Sequence, residues 1–290
     1  MNLYNILVTG TNGQLGSEIK AIHKEYPDFN FFYTTRLELD ICDQNAVEEY
    51  VCLNNINNII NCAAYTAVDK AESQPELADK INHQAVKGLA EISKKYNISL
   101  IHISTDYVFD GKGYKPYVTD HPTAPVNVYG KTKLDGEIAL QGVNPINSMI
   151  IRTSWVYSSF GNNFVKTMLR LGKEHNEINV VSDQIGSPTN AADLAHVILK
   201  IIPQLENEEV EVFHYSNEGV CSWYDFAKAV FELEDMHIKV NPIETWQYPT
   251  PAQRPYYSLM NKSMVKEKYQ LEIPYWKDSL FRCLRIMVNK

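Results

Sequence analysis

Short apolar runs alternate with helical periodicities through the first half of the chain. Ile6-Leu7-Val8-Thr9 reads as a strand and Gln14 to Glu25 as a helix. Phe29 to Thr34 and Gln44 to Leu53 repeat the pair, and Asn58 to Cys62 predicts a third strand. A long helical stretch follows from Pro75 to Tyr96, then strands at Ser99 to Ser104 and Ser148 to Arg152. Strands apolar on both faces and separated by helices imply a parallel sheet covered on both sides. Right-handed crossovers then give an α/β, doubly wound, Rossmann-like fold.

Beyond Val156 the pattern loosens. Helices are expected at Asn163 to Gly172, Ala191 to Ile201 and Ser222 to Glu232, the last capped by Ser222. Strand-like pieces occur at Asn179 to Val181 and Val210 to His214, and Pro242 to Pro255 reads as an ordered loop. The division expected is a dinucleotide-binding domain over residues 1–155 and a smaller α/β substrate lobe over 156–290. Some segments of the second part are allowed to return to the first.

Thr9-Gly10-Thr11-Asn12-Gly13-Gln14-Leu15-Gly16 spells G-x-x-G-x-x-G between the first strand and the first helix. Glycine permits the tight turn and the close approach of a pyrophosphate, which the helix N-terminus then attracts. About 20 residues on, where an acid would hold ribose hydroxyls, the chain reads Tyr33-Thr34-Thr35-Arg36. A guanidinium suits a 2′-phosphate, so Arg36 favours NADPH over NADH. Asp40 and Ile41 are candidates for the adenine edge and face.

Tyr129 and Lys133 form Y-x-x-x-K, which on a helix places both on one face. A nearby ammonium is expected to lower the phenol's pKa, so that Tyr129 exchanges a proton with a carbonyl receiving hydride. Lys133 can also hold the nicotinamide ribose. The pair lies about 25 residues after Ser104-Thr105-Asp106, at the end of the fourth strand, where ligands of open α/β sheets bind. Thr105 is expected to hydrogen-bond the substrate carbonyl.

Composition adds exclusions. The 290 residues are 44% hydrophobic and 21% charged, with a net charge of -8 and no basic run, which argues against nucleic acid as partner. No apolar stretch reaches a membrane span, and Met1 to Gly10 is too short and polar for a signal peptide. Five cysteines without a C-x-x-C pair suit a reduced, cytoplasmic protein.

In order, these motifs resemble the extended short-chain dehydrogenases. The stretches Asn61-Cys62-Ala63-Ala64-Tyr65-Thr66-Ala67-Val68-Asp69-Lys70-Ala71-Glu72 and Ser104-Thr105-Asp106-Tyr107-Val108-Phe109-Asp110-Gly111 narrow the resemblance to the dTDP-4-dehydrorhamnose reductase family. So do Asn127 to Lys133, Arg152 to Tyr157, Gly161 to Phe164 and Thr250 to Pro255. The resemblance implies reduction of a nucleotide-linked 4-ketosugar by NAD(P)H, with Tyr129 as proton donor to O4. It implies that Gly13, Gln14 and Leu15 meet the pyrophosphate and that Ala63, Ala64, Tyr65 and Thr66 line the cofactor. It also implies that Thr105, Asp106 and Trp155 meet the sugar, with Arg254 a candidate for the substrate diphosphate or for a structural carboxylate pair. Some family members dimerise around Mg2+ held by surface carboxylates. Glu18 sits where one such ligand is expected, but Thr189 to Asp193 offers few acids, so no metal is assigned and either monomer or homodimer is expected. Rival readings are another nucleotide-sugar epimerase or dehydratase, a catalytically silent NADP-binding regulatory subunit, and a redox sensor. Asp106-Tyr107 in place of an acidic pair disfavours the dehydratase, and the intact Thr105, Tyr129 and Lys133 disfavour the silent subunit.

Overall fold

In the computed structural model, which describes residues 4–288, six parallel strands form one sheet. They are β1 (Tyr4–Thr9), β2 (Phe29–Thr34), β3 (Asn58–Asn61), β4 (Ser99–Thr105), β5 (Met149–Thr153) and a sixth strand, Glu211–His214. Across the sheet the order is β2, β1, β3, β4, β5, Glu211–His214. The direction of winding therefore reverses between β1 and β3, and the open crevice at their carboxyl ends is where such sheets bind ligands.

Successive strand residues point to opposite faces, and the core divides accordingly. Ile6, Val8, Ile60, Ile101, Met149, Ile151 and Phe213 pack under α1 (Gln14–Ile22) and the helix Ala191–Ile201. Their neighbours Leu7, Ile59, Leu100 and Ile150 pack under α2 (Gln44–Leu53) and the helices Ala85–Tyr96 and Val128–Val143. Both faces are buried, which explains why these strands read as continuous apolar runs and not as alternations.

The second part of the chain builds a further cluster, in which Tyr157, Val165, Phe226, Val230, Trp276 and Leu280 pack together. Its helix Trp223–Leu233 begins at Ser222 with a capping box closed by Asp225, as the sequence leads one to expect. Segments from this part lie on the main sheet too: Glu211–His214 pairs with β5, and Ala191–Ile201 covers β1.

Several elements differ from the expectation. The helical stretch from Pro75 is interrupted by a π turn at Lys80–Gln84. α1 stops at Ile22 and continues as a 3-10 turn, His23–Glu25. Pro242, expected in a loop, lies in a strand, Lys239–Ile243, which pairs in parallel with Glu177–Val181. Such a two-stranded edge tolerates the missing N–H of proline. Two helices, Ser263–Tyr269 and Trp276–Val288, complete the chain. None of the five cysteines is joined in a disulfide, and among the described residues no helix is long and apolar enough to cross a membrane.

Candidate active site

The glycine loop follows β1 directly and α1 begins at Gln14. Gly10 has φ +66°, and a Cβ there would stand 2.7 Å from the Ala63 backbone nitrogen. At Gly16 a Cβ would meet Thr11 Cα at 2.7 Å. Only glycine lets loop, helix and the end of β3 approach this closely. The N-cap, Gly13, supplies no side-chain acceptor, so the first-turn N–H groups of α1 stay available to an anion. Thr11 N–H bonds the Thr34 carbonyl at 3.2 Å, joining the loop to the end of β2. Arg36 lies two residues further on, largely exposed, with its guanidinium 3.7 Å from Asp40. Asp40 is held below the usual carboxylate range, first by the Cys42 N–H it accepts, while Ile41 is buried.

Residues Ala63 to Thr66 lie just past β3, and the Ala63 backbone abuts Gly10 of the glycine loop. Asn82, in the π turn, fixes this segment: its amide accepts from Tyr65 N–H at 2.8 Å and donates to the Tyr65 carbonyl at 3.1 Å and to Thr132 Oγ1 at 3.2 Å. The widened turn thus brings one buried amide against both the segment after β3 and the helix bearing Tyr129. Neither the π turn nor Asn82 carries a sequence signature, because the polar face it shows resembles ordinary helix.

Asn127 caps the helix Val128–Val143 by accepting from Gly130 N–H at 2.8 Å, and donates to the Gln253 carbonyl at 2.7 Å. Gly130 lies against the Tyr107 carbonyl, where a Cβ would stand at 2.2 Å. This contact brings Tyr129 to the end of β4. There the Thr105 hydroxyl lies beside the Tyr129 phenol, accepts from Tyr107 N–H at 3.2 Å and donates to Asp106 Oδ1 at 3.0 Å. The Tyr107 ring meets Tyr129 edge-on at 5.5 Å. Lys133, one turn on and 1% exposed, donates to the Ile103 carbonyl at 2.6 Å and lies 3.1 Å from His102 Nε2. Thr105, Tyr129 and Lys133 are therefore assembled around one strand end.

The electrostatics correct one expectation. Burial pushes the Tyr129 phenol up to about 12, with the neighbouring Thr105 hydroxyl opposing and the Asp106 charge adding to the rise. The Lys133 ammonium spends its bonds on β4 and not on the phenol, so it does not bring the phenol down. Burial lowers Lys133 to about 8, against a rise from Glu137. Asp106 is raised to about 7, mainly by burial, and its Oδ2 has no hydrogen-bond partner.

The raised Asp106 has a consequence for stability. Between the ordinary carboxylate pKa and about 7 the folded protein holds a proton that the unfolded chain releases, so stability falls as pH rises through that window. Asp106→Asn removes this dependence. Its unfolding free energy relative to the parent is expected to increase between about pH 4 and pH 7, by on the order of a few kcal/mol. Denaturant titration of both proteins across that range is the check, and equal slopes with pH would refute it.

The second part of the chain completes the crevice. Gln14 donates to the Val156 carbonyl at 3.2 Å and accepts from Asn163 at 3.0 Å. Trp155 adopts φ +49°, uncommon for a bulky residue and characteristic of functional sites. One face of its indole stacks on Trp223 at 3.7 Å, so only part of the ring remains to meet a ligand. Arg254 forms a bidentate pair with Asp69 at 3.0 and 2.8 Å, tying the 250–255 loop to the segment after β3. Of the two roles weighed for Arg254, the structure shows the carboxylate pair. Glu18 is not a surface carboxylate: it is 6% exposed and accepts from Ser158 Oγ at 2.6 Å. Asp193 is likewise engaged, by Asn217, Ser279 and Arg282. A metal bridge built on these acids would first have to break internal bonds.

This glycine loop, strand-end threonine and Tyr-Lys helix coincide with a match to the RmlD substrate binding domain family over residues 4–289. The chain belongs to the dTDP-4-dehydrorhamnose reductase family. A reductase of that name from Sinorhizobium fredii is 40% identical over 285 residues, covering 96% of this chain and 95% of its own. The Escherichia coli K12 enzyme is 40% identical over 290 residues, covering 97% of each. Among solved structures, a Bacillus anthracis dTDP-4-dehydrorhamnose reductase in complex with NADP superposes with TM-score 0.92 at 39% identity, covering 98% of this chain and 99% of its own. A UDP-glucose 4-epimerase from Bifidobacterium longum shares the fold at TM-score 0.84 with 17% identity.

Proposed function

We propose that the protein reduces the 4-keto group of dTDP-4-dehydro-L-rhamnose to give dTDP-L-rhamnose, using NADPH. The observation that carries this reading is the convergence of Thr105, Tyr129 and Lys133 at the end of β4, in the same crevice as the uncapped start of α1.

The residues present fit a dinucleotide. Gly10, Thr11, Asn12, Gly13, Gln14, Leu15 and Gly16 form a cradle that any Cβ at Gly10 or Gly16 would distort, and its free N–H groups suit a pyrophosphate. Ala63, Ala64, Tyr65 and Thr66 would flank it, with Asp40 and Ile41 toward the adenine and Arg36 toward a 2′-phosphate. When bound, the reduced nicotinamide supplies a hydride.

The chain's own residues supply the rest. The Tyr129 hydroxyl presents its O–H to a carbonyl oxygen, and Thr105 Oγ1 adds a second by turning its proton there from Asp106 Oδ1, the two polarising the oxygen and fixing its position. Tyr129, kept protonated by burial, donates its proton to that oxygen as charge develops there. The Lys133 ammonium holds the cofactor's ribose. Asp106 bonds a sugar hydroxyl, Trp155 offers the uncovered part of its indole to the apolar side of a deoxysugar, and Arg254 takes a phosphate oxygen alongside Asp69.

The test is loss of nicotinamide absorbance when the protein, NADPH and dTDP-4-dehydro-L-rhamnose are mixed, with NADH in parallel. Rapid sugar-dependent oxidation is expected. Cofactor binding without oxidation would overturn the reading. Arg36→Ala is expected to raise the KM for NADPH roughly 10-fold or more while leaving that for NADH nearly unchanged, as loss of one charge-assisted phosphate contact implies. An equal change for both cofactors would remove Arg36 from the 2′-phosphate.

A further inference from the structure

A row of buried polar groups runs beneath the crevice, crossing the sheet from β1 to the Tyr129 helix. Thr9 Oγ1 on β1 lies 2.7 Å from Asn61 Oδ1 on β3. Asn61 Nδ2 lies 3.1 Å from His102 Nδ1 on β4, and His102 Nε2 lies 3.1 Å from Lys133 Nζ. At its far end Thr9 Oγ1 accepts from Ala63 N–H at 3.4 Å. Thr9, Asn61, His102 and Lys133 are each at most 1% exposed. Buried polar groups in a parallel sheet that could have been aliphatic require a reason.

We propose that His102 is a positioning residue for Lys133: its neutral imidazole clamps the lysine nitrogen against the Ile103 carbonyl and, through Asn61, sets the pH at which that nitrogen loses its proton. The proposal rests on the reductase reading and adds to it a residue that touches neither substrate nor cofactor.

The chemistry of the donors and acceptors carries the argument. A charged lysine has three donors and no acceptor, so His102 Nε2 must accept and the ring proton sits on Nδ1. That proton then needs the oxygen of the Asn61 amide, whose NH2 turns to Thr9 Oγ1. With the amide turned the other way, Thr9 donates to Asn61, Asn61 donates to Nδ1, and the ring proton on Nε2 faces the lone pair of a neutral amine. Turning the Asn61 amide over thus gives one hydrogen-bond order for each charge state of Lys133, at the cost, in the charged state, of the Asn61 acceptor for the Thr9 hydroxyl. No such second order exists for an aliphatic residue at position 102. His102 itself stays neutral, held well below the usual range first by burial and then by Lys133.

The charged and titratable groups around this row are few. Glu137, a turn beyond Lys133 on the same helix, favours the ammonium, and it is itself bonded to Arg152 of β5. Cys62, just past β3, is half-buried with its thiol pushed up by desolvation to about 12, so it stays uncharged. The only local partner that can exchange donor for acceptor with Lys133, among the described residues that bond it, is therefore His102.

Two variants test the assignment. His102→Leu removes the acceptor, and His102→Gln restores a donor and an acceptor on one side chain. NADPH affinity, read by nucleotide fluorescence with no sugar present, is expected to weaken as pH rises through the lysine titration. In His102→Leu this limb is expected to move acidward by about one to two pH units, the value of one hydrogen bond to a charged group. His102→Gln is expected to restore most of the shift. Should the Leu variant fail to fold, His102→Asn, too short to reach both neighbours, is expected to move the limb in the same direction. A limb unmoved in a folded Leu or Asn variant, or absent from the parent protein, overturns the proposal. A shift in binding with no sugar reduced would sustain His102 and sink the reductase reading; turnover with an unmoved limb would do the reverse.

Discussion

Tyr129→Phe is expected to lose about 100- to 10,000-fold in turnover, the usual contribution of a positioned proton donor, while NADPH binding stays within about a factor of three. The ring packs edge-on against Tyr107, and a phenylalanine fills the same space, so the substitution deletes one hydroxyl and little else. What it removes is the proton destined for the carbonyl oxygen and one of two hydrogen bonds that polarise it. Thr105 remains, held by Tyr107 N–H and able to turn its proton from Asp106 to the carbonyl, which is why some activity should survive. Single-turnover absorbance kinetics with saturating NADPH separate the chemical step from binding. Near-normal rates in this variant would remove Tyr129 as acid.

Arg152→Met is expected to give the largest loss of stability. Arg152, on β5, is 5% exposed and meets the fully buried Glu137 of the Tyr129 helix through Nε, at 3.1 Å to both carboxylate oxygens, and through Nη2 at 2.7 Å. It also donates to the Thr119 carbonyl at 3.1 Å, and its guanidinium lies over the Phe109 ring at 5.2 Å. Ser104 Oγ donates to the same carboxylate. Removing the cation leaves Glu137 buried without its charge partner, a situation that costs about 3–5 kcal/mol. In a chain of this size the melting temperature should fall by on the order of 10 °C. The double variant Arg152→Met, Glu137→Leu should recover a large part of that loss, because the penalty lies in the unpaired charge and not in the missing pair. Calorimetry of the three proteins decides it. A double variant no better than the single would show that the pair itself supplies the stability.

The two expectations concern one piece of structure. Glu137 and Lys133 are neighbours on the helix that carries Tyr129, and Arg152 anchors that helix to β5. Damage to the anchor should therefore reach activity as well, through displacement of Lys133 and Tyr129.

The parallel sheet, the glycine loop and the Tyr-Lys helix were legible in the sequence because each depends on short-range rules. Gly10, Gly13 and Gly16 reveal themselves by spacing, since only a residue without a Cβ permits that turn. Tyr129 and Lys133 are four apart on one helix. Gln44–Leu53 and Ala191–Ile201 could be read to the residue from apolar periodicity within the segment. What tertiary structure alone decided involves partners distant along the chain. Asn61, His102 and Lys133 look like isolated polar residues until β3, β4 and the helix are placed side by side. Glu137 and Arg152 are 15 residues apart and become a pair only across the strand–helix interface. Glu18 reads as a surface acid until Ser158, 140 residues on, closes over it. Tyr129 was expected to be acidified by its lysine, but the fold aims that lysine at His102 and Ile103. Spacing along a helix fixes which face a side chain occupies; which atom its charged end meets is set by what packs against that face.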